Sequence, residues 1–295
     1  MPPSDTFFTT APGWEWLVIL YFFFGGLAGG SFALAALVDL FGRPIDWPLA
    51  RLGYIIAFVT LLPCPILLSA DLTRPERFWH MLIASERAPA PIFKLWSPMS
   101  VGSWALLLFG LFSFLAFLGA VGSRGPLGVL RRDPLRWLIV LLGAAFGFFV
   151  ASYTGVLLSV TNRPIWADTP LLGLLFLASG ASTAAALMLL LGRPRGWVAP
   201  ASLARLERLD TWVTILELVV LIAMVLSLGP LMSIWLSIWG LLLAVGVLLV
   251  GILLPLALHW GARQLGGASI AAASVLALIG GFILRAVIVL SSESL

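Results

Sequence analysis

The sequence predicts an all-α integral membrane protein whose eight transmembrane helices form two four-helix bundles, with both termini on the outer, periplasmic side. Three observations carry this. Of 295 residues, 61% are hydrophobic and only 10% charged, against about 25% charged in an average soluble domain. Apolar runs near the length of ~20 residues that crosses a ~30 Å hydrocarbon core recur along the chain. These runs are continuous rather than alternating, which favours helices, whose backbone groups are satisfied within each segment, over a barrel.

The eight runs cover residues 16–41, 52–70, 98–121, 135–159, 170–191, 212–229, 238–258 and 269–290. The first is too long for a signal-peptide core and follows Asp5 and Glu15 rather than Lys or Arg, so it is expected to be a retained span with no leader before it. The second contains Pro63 and Pro65, which remove backbone donors and should kink or open the helix. After it comes "DLTRPERFWHML". Pro75 suits the first turn of a helix and Glu76 an early position where negative charge is favoured. With Phe78, Trp79, Met81 and Leu82 these residues predict a short interfacial helix over 73–84. The plainer alternative is an ordinary surface helix with Asp71 paired to Arg74 or Arg77. The runs "GGLAGGS" in the first span and "SGASTAA" in the fifth permit close helix approach in lipid, and packing alone is their simplest reading.

Orientation follows from the basic residues. One side receives eleven, Arg43, Arg51, Arg124, Arg131, Arg132, Arg136, Arg193, Arg195, Arg205, Arg208 and Arg263; the other receives five, Arg74, Arg77, Arg87, Lys94 and Arg163. The richer side is cytoplasmic, and the stretch after the second span faces out. The high pI reflects these loop arginines and predicts no nucleic-acid partner. An offset of 154 sets Arg51-Leu52 against Arg205-Leu206 and Val59-Thr60 against Val213-Thr214. The reading is two halves of parallel topology, residues 1–165 with the outer helix and residues 166–295. Chance matching of Gly, Ala and Leu remains the alternative.

Cys64 is the only cysteine, so a four-thiolate iron–sulfur cluster cannot be held by this chain, and no metal site is expected. His80 and His259 are the only histidines and fall at opposite faces, which argues against a bis-histidine haem. A redox cofactor would belong to a partner or be mobile and lipid-soluble. Tyr21, Tyr153 and Asp71 converge on the outer third of the first bundle beside the broken helix. A buried phenol can hydrogen-bond a carbonyl and a carboxylate at the mouth can pass protons to water, which is what a quinone site needs. Tyr153 and Asp71 are the catalytic candidates, and Tyr21 and His80 join them as binding candidates. Glu217 in the sixth span, with Asp39, Thr60, Thr214 and Arg285, could serve a proton path. Glu217 and Arg285 fall at different depths and are not expected to be direct partners; Arg285 could equally snorkel outward.

These segments resemble the NrfD/polysulfide-reductase membrane-subunit family, which includes relatives in alternative complex III. The resemblance rests on "FFFGGLAGGSF", "DLTRPERFWHML", "SPMSVGSW", "YTGVLLS", "LLFLASGASTAAAL" and "LDTWVTILEL" in combination and covers nearly the whole chain. It implies a haem-free subunit of the bacterial inner membrane that oxidises quinol or reduces quinone, menaquinone or ubiquinone, at the outer side. It further implies electron exchange with a docked ferredoxin-like iron–sulfur subunit and a molybdopterin-type catalytic subunit beyond it. Family quinone-site roles fall on Tyr153 by its "YTG" context and on Asp71 by "DLTRP". Polysulfide-reductase members carry a histidine one turn before the GLAGG run, where this chain has Tyr21. Two other readings stay open, a secondary transporter or proton-conducting subunit without its own redox site, and a purely structural anchor.

Overall fold

A computed structural model of the chain describes residues 13–84, 90–91, 93–94, 96–122, 126–161, 163–194, 196–265 and 267–292. Arg87, Arg124 and Arg195, used above for orientation, and Asp5, used for the first span, lie outside them. Among the described residues, eight helical segments are long and apolar enough to cross a membrane. The first is α1 (Trp16–Phe41); the second combines α2 (Trp47–Leu61) and α3 (Pro63–Ala70). The next four are α4 (Pro98–Val121), α5 (Leu135–Ser159), α6 (Leu172–Gly192) and α7 (Pro200–Ser227). The seventh span runs through α8 (Ile238–Leu241), a π-helical stretch (Leu242–Leu253) and α9 (Leu254–Leu265), and the eighth is α10 (Gly267–Ser291). By these spans the chain is a multi-pass membrane protein.

Three predicted runs, 16–41, 98–121 and 135–159, coincide with α1, α4 and α5. The break in the second span falls at Leu62, immediately before Pro63, because neither Pro63 nor Pro65 can donate to the helical ladder. The sixth helix begins twelve residues before the predicted run. Its first turns are charged outside and buried inside, with Ser202, Leu203, Leu206 and Asp210 on the inner face, so an apolar window misses them. The predicted helix over 73–84 is a 3₁₀ segment, Pro75–Met81, followed by a two-residue ladder pairing Ile83 with Pro91 and Ala84 with Ala90. Pro75 occupies the first turn, as its fixed φ favours.

α1 and α6 pack centrally: α1 against α2, α5, α6 and α10, and α6 against α1, α5, α7 and α10. The glycines of α1 let backbones meet. A Cβ on Gly29 would overlap the Gly147 carbonyl of α5, and one on Gly30 the Gly180 carbonyl of α6. Gly26 and Gly180, matched by the offset of 154, lie face to face, a Cβ on Gly26 reaching the Gly180 Cα at 3.6 Å. At the end of the molecule where α1 joins α2, Asp46 is buried and accepts from Ser202 and Arg205 of α7. Its other oxygen accepts from the Arg43 N–H at 2.8 Å. This junction ties the first-to-second-span linker to the sixth span.

Candidate functional site

Tyr21, Asp71 and Tyr153 line one cavity of about 530 Å³, within the range of small-molecule sites. Its walls come from α1, α2, α3, α4 and α5 and from the 3₁₀ segment, whose Phe78 and Met81 cover it. The lining is overwhelmingly apolar, with Ser69 and Ser103 adding to the three polar side chains. One flank, formed by Leu62, Leu107, Leu111 and Phe114, is also exposed on the outer surface of the helices. The cavity therefore opens sideways through residues that a bilayer would contact.

Each polar group is held by a local cause. Tyr153 is buried on α5, its ring stacked on Phe149 at 5.4 Å, and its hydroxyl donates to the Pro98 carbonyl at the start of α4. That carbonyl belongs to the first turn of α4, which the Ser97 hydroxyl caps by accepting from the Ser100 N–H. Gly102 supplies the room: a Cβ there would collide with the Tyr153 ring and oxygen. Ser100 and Ser103 fasten the covering segment to α4, Ser100 Oγ donating to the Met81 carbonyl at 3.3 Å and Ser103 Oγ lying 3.4 Å from Met81 Sδ. Tyr21 is buried on α1.

Asp71 ends α3, which the proline break sets off from α2. Among the described residues it makes no ion pair, so neither Arg74 nor Arg77 neutralises it. Burial, with a smaller contribution from the Glu15 carboxylate, raises its carboxyl above the ordinary value. The carboxyl thus holds its proton to higher pH than an exposed aspartate. His80 is not among the lining residues; its ring meets Trp79 edge-on at 3.9 Å.

Behind the cavity the structure corrects the placement of Arg285. It is fully buried and does not snorkel. Its Nε donates to the Phe22 carbonyl of α1 at 3.2 Å, Nη1 to the Gly281 carbonyl at 2.6 Å and to Ser179 Oγ at 3.1 Å, and Nη2 to the Phe176 carbonyl at 3.4 Å. Gly26 leaves the space for the guanidinium, since a Cβ there would lie 2.8 Å from Nη2. Phe22 itself lines the cavity. Glu217 forms no direct ion pair with Arg285, as expected, but the two buried groups stand close enough to influence each other electrostatically, in contrast to the separation expected from depth.

Asp39 and Thr60 are not brought to Glu217. Asp39 accepts from Tyr54 at 3.0 Å and lies 3.4 Å from Arg136 Nε, within the first four spans. Thr60 donates back to the Ile56 carbonyl of its own helix at 2.7 Å. The buried acid near Glu217 is instead Asp210, one face of α7 carrying Asp210, Thr214 and Glu217. Ser182 donates to Asp210 at 3.2 Å and lies 3.0 Å from Thr214, while His259 Nε2 stands 3.9 Å from Asp210. Sequence reasoning missed Asp210, though its i, i+4, i+7 spacing with Thr214 and Glu217 was present as a signal.

A family model described as "Polysulphide reductase, NrfD" matches residues 7–294. The chain belongs to this family. Membership makes it a membrane subunit of the oxidoreductase class. One component of the polysulfide reductase of Wolinella succinogenes is 33% identical over 193 residues, 61% of this chain and 58% of that protein, so the match spans somewhat over half of that relative. The Haemophilus influenzae NrfD homolog is 27% identical over 82% of each chain. One subunit of the selenate reductase of Mesobacillus selenatarsenatis is 28% identical over 36% of this chain and 22% of its own length.

Proposed function

We propose that this subunit binds quinol or quinone in the cavity lined by Tyr21, Asp71 and Tyr153 and exchanges electrons with an iron–sulfur subunit docked on the outer face. The observation that carries the reading is the gathering of these three side chains around an apolar space with a lateral opening. A headgroup needs one or two hydrogen bonds and a proton route, and its tail needs access to lipid. The Tyr153 proton is committed to the Pro98 carbonyl, so its oxygen is presented as an acceptor for a quinol hydroxyl. Tyr21 supplies a donor for a quinone carbonyl, and Asp71, nearest water, exchanges the proton. The iron–sulfur partner, a molybdopterin-type subunit beyond it, His80 as an accessory ligand, the two-bundle division at residue 165 and outward termini complete this reading. It is tested in the assembled complex: Tyr153→Phe and Asp71→Asn should each lower quinol-linked electron transfer while leaving assembly intact, and unchanged turnover in both would remove the site.

A second role, proton conduction beside the redox site, is favoured by the buried polar row of Asp210, Ser182, Thr214, Glu217, Ser179 and Arg285 along α6, α7 and α10. Asp210 to Glu217 spans about 10 Å of helix, and the row ends at Phe22 in the cavity wall. Glu217→Gln should lower the protons released per quinol. An unchanged stoichiometry removes Glu217 from the path.

A further inference from the structure

α7 carries a feature that neither the cavity nor the polar row uses. A shallow, open groove along its exposed side is lined by Arg205, Arg208, Leu209, Trp212, Val213 and Leu216. Arg208, Trp212 and Leu216 are exposed and follow one another at i, i+4 spacing, and the exposed stripe continues through Val219, Ile222 and Leu226. Polar and apolar parts are thus ordered along one helix face.

Length fixes where that order falls. α7 has 28 residues, about 42 Å of helix, against a hydrocarbon core of ~30 Å. The surplus of about 12 Å, roughly eight residues, corresponds to its charged first turns. Arg205 and Arg208 therefore stand at headgroup level, Trp212 at the interface where its amphipathic ring is favoured, and Leu216 onward among acyl chains. The two guanidiniums differ. Arg205 gives one Nη to buried Asp46 and keeps a half-exposed side chain; Arg208 makes no ion pair among the described residues. The carboxylate anchors Arg205 on the helix side while Arg208 contributes an uncompensated charge.

We propose that this groove is a binding site for an anionic phospholipid, its phosphate held by Arg205 and Arg208 and an acyl chain lying over Trp212, Val213 and Leu216. Charge complementarity selects the occupant: a zwitterionic lipid would bring its own cation to two arginines, whereas a phosphatidylglycerol-type headgroup brings net negative charge. The bidentate fork of arginine suits phosphate oxygens. With the orientation proposed above the lipid belongs to the cytoplasmic leaflet.

The test uses the full-length chain, delipidated in detergent and titrated with phosphatidylglycerol or phosphatidylcholine of identical acyl chains. Retained lipid is read by native mass spectrometry and Tm in parallel. Phosphatidylglycerol should bind preferentially and raise Tm, and Arg208→Gln should weaken its binding about fivefold. Arg208 is exposed, so this variant keeps its fold. Arg132→Gln, which removes an exposed charge before α5, should leave phosphatidylglycerol binding unchanged. Equal binding of the two lipids overturns the proposal. So does an equal Tm rise from inorganic phosphate at the same concentration, which would mark a simple anion site, or an equal loss in Arg132→Gln, which would mark general surface potential. None of these readouts depends on quinol turnover, so failure here is separable from failure of the redox reading.

Discussion

Tyr153 and Gly102 form a side chain and its socket: the ring and hydroxyl of Tyr153 occupy the volume a Cβ on Gly102 would need. The absence of a side chain on α4 thereby sets the position of the phenol on α5. Gly102→Ala should push the ring off its place and break the hydrogen bond to Pro98. The expected cost is about 1–3 kcal/mol of stability, as for overpacked sites, with a fall in quinol turnover approaching that of Tyr153→Phe. Thermal unfolding and steady-state kinetics on the same preparation check both.

Tyr153→Phe keeps the stacked ring and removes one oxygen. Turnover should fall about tenfold, the loss expected from removing one hydrogen bond of about 1.5 kcal/mol to the quinol, while Tm changes little. Single-turnover reduction of the partner's cluster by quinol would show whether the loss lies in the chemical step.

Asp71 makes a pH prediction. If its ionised form accepts the quinol proton, activity rises with pH through its raised pKa, and this limb should lie above the ordinary aspartate value. Glu15→Gln removes a like charge and should move the limb to lower pH; Asp71→Asn should remove the limb altogether. The stability sign runs the other way. A carboxyl with a raised folded-state pKa binds its proton more tightly in the folded state, so stability falls as pH rises from the unfolded to the folded value. Asp71→Asn should therefore unfold at or above the wild-type temperature at neutral pH.

Arg285 joins α1, α6 and α10 through one guanidinium. Arg285→Met should cost ~3–5 kcal/mol, the scale on which removing one member of a buried charged network acts. Part of that loss is the stranded Glu217 carboxyl. The double variant Arg285→Met/Glu217→Gln should accordingly be more stable than the sum of the singles, and a double-mutant cycle of Tm values measures the difference.

The spans and their break were legible because both depend on local chemistry, namely the length of apolar runs and the missing donors of Pro63 and Pro65. Tyr21, Asp71 and Tyr153 were legible as a group because helix rise converts sequence position into depth. Depth says nothing of azimuth. For that reason outward snorkelling stayed open as an alternative for Arg285, when Gly26 and Gly281 admit it between three helices. The electrostatic influence of Arg285 on Glu217 acts between different spans and leaves no trace in spacing. Asp39 and Thr60 shared a plausible depth with a proton path but are held by Arg136, Tyr54 and the Ile56 carbonyl elsewhere. The covering segment read as an ordinary helix because composition records amphipathicity but not whether a single turn closes with three residues or four.

The flank of Leu62, Leu107, Leu111 and Phe114 has a kinetic consequence. A hydrophobic ligand entering there arrives by diffusion in a plane, and the quantity that sets its occupancy is mole fraction in the bilayer. Diluting the vesicles in buffer should leave the turnover of a reconstituted complex unchanged, while diluting the quinol with added lipid should lower it.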